Sequence, residues 1–172
     1  MRYFSGAYRD RCPADAGALE AIAIQTHVRD GYPKYRPTDM RSFVVHANAL
    51  RAWVADDKGE VPGHVALHDR SAPAVMDIAG TATGLDDGQL VVVARQLVAP
   101  AARRRGLGRA LIEHATTEAA RIGKRAVLDV VTENKDAIGL YEKCGWKRVG
   151  EVEWGLPDGR PLREFVYISP PS

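Results

Sequence analysis

The stretch Gln96-Leu-Val-Ala-Pro-Ala-Ala-Arg-Arg-Arg-Gly-Leu-Gly-Arg-Ala-Leu111 leaves the chain few ways to fold. Residues 90–98 form an apolar, β-branched run, the signature of a buried strand. Pro100 follows in the breaker Ala99-Pro100-Ala101-Ala102 and cannot continue a ladder. An amphipathic helix is predicted from there over residues 103–122. Leu107, Leu111, Ala115, Ala119 and Ile122 form its apolar stripe and Gly123 its stop. The mouth of that helix is therefore built from Arg103, Arg104, Arg105, Gly106 and Gly108. Free N–H groups and the positive end of the helix dipole make such a mouth a site for an anion. Glycine there lets a phosphate approach the backbone closely. Three cations at a helix N-terminus are unfavourable without a counter-charge, which also points to an anionic ligand.

The pattern is not a nucleotide P-loop, because no Gly-Lys-Ser/Thr follows the glycines. It is not the dinucleotide fingerprint, because the third glycine is missing. A net charge of +2 is too small a field to argue for nucleic acid or an anionic membrane. The arginine patch is local, and one phosphate-rich ligand accounts for it. With 172 residues, 45% hydrophobic and 27% charged, a single domain over 1–172 is expected. Cys12 and Cys144 make no disulfide framework. No signal-type or membrane-spanning apolar run is seen, so the expected compartment is the cytoplasm. Residues 170–172, Pro-Pro-Ser, read as a frayed tail.

Along the chain, residues 3–9 read as a strand. Residues 13–27 read as a helix with Leu19, Ile22, Ala23 and Thr26 on one face and Pro13 in the first turn. Residues 28–37 form a loop rich in aromatics, either a packed connection or a wall of a ligand pocket. A second helix is predicted over 38–48 with Thr38 as N-cap. Strands over 51–57 and 61–68 flank a Lys58-Gly59 turn, a hairpin signal. The twenty-odd residues after His68 exceed a hairpin loop. A helix over 73–83 explains them, with Val75, Ile78, Ala79 and Ala82 inward and Gly84 as stop. Then come a strand over 125–131 that Asp129 interrupts, a helix over 136–144 capped by Asn134, and strands over 147–154 and 162–168.

His64 and His68 have a helical metal-pair spacing but fall on a strand, and no Glu follows His64. They read as ordinary strand histidines, as do His27, His46 and His114, and no metal site is expected. Cys144 has no histidine at recognisable spacing and reads as a helix-end core residue.

The segment Arg103-Arg-Arg-Gly106-Leu-Gly108 resembles the pyrophosphate loop of the GCN5-related N-acetyltransferases, Gln/Arg-x-x-Gly-x-Gly/Ala. A second segment, Asn134-x-x-Ala137-x-x-x-Tyr141-Glu-Lys-x-Gly145-Trp146, resembles that family's Asn…Ala…Leu-Tyr-Glu-Lys-x-Gly-Phe, with Trp146 in place of Phe. The order of elements is similar too, and the likeness is sharp from Gln96 to Trp146. The resemblance implies a mixed α/β fold with a central, twisted, mostly antiparallel sheet flanked by helices. It implies acetyl-CoA as cosubstrate and direct acetyl transfer to a primary amine in a ternary complex. Pantetheine would pair with the backbone of Gln96, Leu97 and Val98, whose N–H would polarise the thioester carbonyl. Arg103, Arg104, Arg105, Gly106, Leu107, Gly108 and Arg109 would carry the pyrophosphate. Asn134 would contact the pantetheine arm.

The resemblance also puts Tyr141 near the sulfur and makes it the candidate acid for the leaving thiolate, since a phenol of pKa about 10 can donate to a thiolate of about 8.5 as charge develops; its other reading is a core tyrosine. In some similar acetyltransferases an acidic residue at this place serves as base, usually through water, so the resemblance makes Asp129 the candidate base, and the raised pKa of a buried carboxylate would suit it; its other reading is structural. Glu133 is the second choice, and a reaction without a dedicated base also stays open.

The 28–37 loop, the 155–161 loop and the extra helix are candidate acceptor walls, with Tyr32, Tyr35 and Trp154 named among them. Small amine and peptide amine remain equal candidates as acceptor. The family fold often dimerises through its last strands, and the sequence does not decide whether this chain does. The rivals are a non-catalytic acyl-CoA-binding regulatory module, which would bind without turnover, and a nucleic-acid binder with a steep salt slope.

Overall fold

The computed structural model describes residues 4–171. Seven strands and five α-helices follow in order. They are β1 (Ala7–Asp10), α1 (Ala16–Asp30), α2 (Met40–Val44), β2 (Ala49–Asp57), β3 (Glu60–His68), α3 (Pro73–Thr83), β4 (Leu90–Val98), α4 (Leu107–Arg121), β5 (Arg125–Val131), α5 (Lys135–Lys143), β6 (Lys147–Gly155) and β7 (Pro161–Ile168). Strand order in the sheet is β1-β2-β3-β4-β5-β7-β6. The β4–β5 pair is parallel, as its helical crossover requires. The β1–β2, β5–β7 and β6–β7 pairs are antiparallel. The mixed, mostly antiparallel sheet flanked by helices is the fold the sequence implied.

The chain divides into two compact units, Met1–Leu67 with Ala94–Ile112 and His68–Val93 with Glu113–Ser172. In the first, α1 buries Leu19, Ile22, Ala23 and Thr26, the i, i+3, i+4, i+7 face read from sequence. Leu19, Ile22 and Ala23 pack with Met40, Val44, Val54 and Leu97. Gly31 closes α1 at φ 67, its N–H donating to His27 O at 2.9 Å. Lys58 and Gly59 both have positive φ, the backbone of a type I′ hairpin turn joining β2 to β3. In the second unit, α3 lays Val75, Met76 and Ala79 on a core with Leu90, Val127, Val152 and Val166.

Several expectations shift. Tyr3, at the start of the predicted first strand, lies outside the described residues, as does Ser172; the strand itself begins at Ala7. The N-cap of α2 is Asp39, not Thr38: its Oδ1 accepts from Ser42 N–H at 3.0 Å, and the helix is only one turn long. Helix α3 has the expected bounds, but Met76 is buried where Ala82 was expected, and Ala82 faces out. Helix α4 begins at Leu107, four residues later than expected, because the chain first makes a 3-10 turn over Pro100–Ala102. Ile122 lies beyond its end and is exposed.

Candidate functional site

The first unit holds the arginine turn. After the 3-10 turn, Arg103 is extended (φ −67, ψ 162), Arg104 has φ 60 and Gly106 has φ 78. Left-handed residues within a turn let successive N–H groups converge, the backbone form of an anion-binding nest. The first bond of α4 runs from Ala110 N–H to Gly106 O at 3.1 Å, so the N–H groups of residues 107–109 precede the helix's own ladder. Phe4 N–H donates to Arg105 O at 3.0 Å and ties the turn to the chain start. Leu107 is buried and anchors the helix, whereas Arg104 and Arg109 face solvent.

The arginines therefore sit in the turn rather than on the helix, and two already have carboxylate partners. Arg103 pairs with Asp30, and Arg105 lies 3.6 Å from Asp57. Asp30 and Asp57 therefore already balance part of the positive charge at this helix end. What remains is the backbone: a left-handed turn, a helix mouth and a glycine that leaves the approach open. This donor set fits a pyrophosphate.

Strand β4 delivers the turn. Leu97 is buried in the first unit's core, and Gln96 Nε2 donates to Gly108 O at 2.7 Å, so strand and helix mouth are tied directly. Gln96, Leu97 and Val98 thus lead into the same turn as Arg103–Gly108. Tyr32 is half-buried. It packs on that core and meets Phe43 edge-on, ring centres 6.2 Å apart, while Tyr35 is exposed.

The second unit holds the candidate acid and base. Asn134 Oδ1 accepts from Ala137 N–H at 3.2 Å and caps α5, as its position predicts. Tyr141 lies on α5 among aromatic rings, 6.2 Å from Trp146 and 6.4 Å from Tyr167 between centres. Tyr167 OH donates to Glu142 Oε1 at 2.9 Å. Burial, then that carboxylate, pushes the Tyr167 phenol up to about 12.

Asp129 is half-buried, its Oδ1 accepting from Ser71 Oγ at 3.1 Å. Its second neighbour lies on β7. Asp129 hydrogen-bonds Glu164 of β7, and Trp154 Nε1 donates to Glu164 Oε2 at 2.7 Å. Burial first, then the Asp129 charge, pushes Glu164 up to about 7, with the Trp154 bond pulling the other way. A signal for Glu164 was present: in the strand pattern it shares a face with Leu162, Val166 and Ile168, a carboxylate on an apolar face. Glu133, the second candidate base, is exposed. Trp154 serves Glu164 and packs on the second core. The 155–161 segment is a tight turn, Leu156 N–H donating to Arg160 O at 2.8 Å.

Among the described residues, no group of three or more His, Cys, Asp or Glu gathers as metal ligands, and no helix is long and apolar enough to cross a membrane.

Solved structures of N-acetyltransferases share this fold. A ribosomal-protein-alanine N-acetyltransferase from Brucella melitensis aligns at TM-score 0.72 and 20% identity over 95% of this chain and 98% of that one. An N-acetyltransferase from Staphylococcus aureus aligns at TM-score 0.72 and 19% identity over 96% and 98%. Arabidopsis thaliana NAA60, in complex with acetyl-CoA, aligns at TM-score 0.70 and 23% identity over 94% and 96%. No curated protein matches the chain in sequence. At 19 to 23% identity the likeness to these structures is one of fold. The model of the Acetyltransferase (GNAT) family matches residues 18–146, and the chain belongs to that family.

Proposed function

We propose that residues 1–172 act as one catalytic domain that transfers the acetyl group of acetyl-CoA to a primary amine, small or peptide-borne, in a ternary complex. The observation that carries this is the left-handed arginine turn at the mouth of α4, with Arg104 at φ 60 and Gly106 at φ 78. Family membership and an acetyl-CoA-bound structure of the same fold support it.

Acetyl-CoA supplies the thioester whose carbonyl carbon the amine attacks. The turn 103–108 holds the pyrophosphate by backbone N–H groups, with Arg104 and Arg109 adding charge from the solvent side. The backbone of Gln96, Leu97 and Val98 orients the pantetheine arm and polarises the carbonyl. Asn134 keeps its side-chain NH2 for the same arm, since capping uses only its oxygen. Glu164 and Asp129 act as one proton-holding pair that takes the proton from the arriving ammonium, usually through water. Tyr141 gives a proton to the departing sulfur. Positioning supplies much of the remaining rate.

The test is thermal unfolding with and without acetyl-CoA, on wild type, Gly106→Glu and Arg105→Glu, each compared with its own ligand-free midpoint. Ligand at about 100 times its dissociation constant stabilises by roughly 2.7 kcal/mol, several degrees in Tm. A rise in wild type that both variants lose supports the site. Thiol release with an amine panel then separates an enzyme from a binding module. No rise in wild type sinks the proposal.

A further inference from the structure

His64 of β3 is completely buried in the first unit, yet it is a polar group. Its Nδ1 lies 2.8 Å from Arg95 O. A carbonyl only accepts, so Nδ1 carries the hydrogen and donates. Nε2 then has the lone pair and accepts from Arg11 Nη1 at 3.1 Å. Both partners have a single role, so the imidazole is fixed as the neutral Nδ1–H tautomer.

The residue it grips is unusual. Arg95 lies within β4 at φ 53, a left-handed conformation that a non-glycine strand residue avoids. Such a residue persists only where its surroundings hold it. Arg95 is held at both ends. His64 takes its carbonyl, Arg95 Nε donates to Phe43 O at 2.7 Å, and the guanidinium stacks 4.0 Å from the Phe43 ring centre. Arg11, on the other side of His64, also reaches Val44 O at 3.3 Å. A left-handed residue in a strand re-aims everything after it. The next residues of β4 are Gln96, bonded to Gly108 O, and then buried Leu97.

We infer that His64 is a positioning residue: its Nδ1–H clamps the left-handed Arg95 peptide and so sets the backbone of Gln96, Leu97 and Val98 for the thioester. The clamp rests on the distances above. Its value to the reaction rests on the proposed function, in which residues 96–98 carry the pantetheine arm. His64 touches no reacting atom in this account.

Two substitutions separate the clamp from simple packing. His64→Asn keeps a donor near the Nδ1 position but leaves a void. His64→Gln fills more of the space and can reproduce the Nε2 acceptor, but has no donor near Nδ1. Amide exchange by mass spectrometry on the full chain, with and without acetyl-CoA, reads the result. Without ligand, His64→Gln exchanges residues 94–99 about tenfold faster than wild type, the loss of one buried hydrogen bond, and His64→Asn stays within about threefold. A packing role gives the opposite order. With acetyl-CoA, protection at 96–98 appears in wild type and His64→Asn and is lost in His64→Gln. Equal opening in the two variants, or opening in neither, overturns the clamp. If ligand-free exchange follows the expected order but acetyl-CoA leaves 96–98 unprotected in wild type, the positioning role falls along with the strand's part in the proposed function.

Discussion

Glu164 and Asp129 hydrogen-bond across the β5–β7 ladder, on a single face of the sheet. Asp129 is the register partner of Val166, two residues from Glu164, which makes the carboxylates diagonal neighbours. Their proximity and burial raise Glu164 from 4.5 to about 7. The folded chain therefore holds a proton that the unfolded chain releases over that interval. The stability this lends is full below about pH 4.5 and is lost as pH rises through about 7. Glu164→Gln cannot titrate. Its stability gains on wild type as pH is raised from about 5 to about 8, read by urea unfolding at each pH. In the same window, wild-type kcat/KM rises with a midpoint near 7 and the variant's does not. A wild-type-minus-variant difference that stays flat across the window would falsify the shared-proton account.

At Gly63, β3 passes close to the first turns of α4 and to β4. A Cβ there would stand 2.9 Å from Leu111 Cδ1, 3.2 Å from Leu107 Cδ2 and 3.2 Å from Leu97 O. The leucine tips can turn, but Leu97 O is backbone and moves only if β4 moves. Gly63→Ala should destabilise by about 1–3 kcal/mol as an overpacking change. It should also weaken acetyl-CoA binding by displacing residues 96–98. Gly17→Ala is the control: nothing lies within 4 Å of its Cβ, and it sits inside α1. There alanine should stabilise by roughly 0.5–1 kcal/mol and leave binding alone. Unfolding and ligand titration on both variants decide it; equal binding by the two removes Gly63 from the account.

The legible parts of the chain were those where one residue type has one physical use. Pro73 and Gly84 delimit α3 because proline suits a first turn and glycine accepts the left-handed cap, here φ 71. Asn134 was readable as a cap for the same reason. The strand, breaker and helix around the arginines were readable, but the conformation of the arginine turn was not. Three arginines are good helix formers, and only the tertiary tie to Phe4 and the pairs with Asp30 and Asp57 show them in a turn instead. Glu164 stood out only as a carboxylate on an apolar strand face, and its partner, like those of His64, is distant in sequence. Strand register, which sets Asp129 near Glu164, is fixed by the whole sheet rather than by local pattern. The left-handed Arg95 has no sequence signature, since arginine is not a residue that favours that conformation.

Two tyrosines of the second unit should behave differently. Tyr167 is held above the useful range, at about 12, by burial and its bond to Glu142. It is a poor proton donor to a thiolate. Tyr167→Phe should lower stability by about 1 kcal/mol through the lost hydrogen bond and leave kcat near wild type. Tyr141→Phe should lower kcat by about tenfold to a hundredfold with KM for acetyl-CoA unchanged, as loss of a general acid requires. The comparison needs steady-state thiol release on both variants with one acceptor amine. If Tyr141→Phe retains full kcat, the thiolate leaves without help from this phenol.

Acid tolerance should depend on one arginine at the start of the first unit. Arg9 grips Asp15 with two bonds, at 2.8 and 2.9 Å, and reaches Asp56 at 2.9 Å. Asp15 is buried, and its other donor is Cys12 N–H at 2.8 Å. The Arg9 hydrogen bond, ahead of the smaller opposing effect of burial, pulls Asp15 down from 3.8 to about 2. A depressed carboxylate stabilises the fold above its unfolded pKa and loses that contribution as pH falls, here between about 3.8 and about 2. Arg9→Ala leaves the Asp15 charge buried with one backbone donor. The variant should be less stable than wild type at neutral pH, and the gap should close as Asp15 becomes protonated in both proteins. The variant's Asp15 titrates higher, so its own acid loss begins at a higher pH. Urea midpoints for both proteins from about pH 7 down to about pH 2.5 test this, and a gap that stays constant on acidification would show that Arg9 stabilises the fold by packing rather than through Asp15.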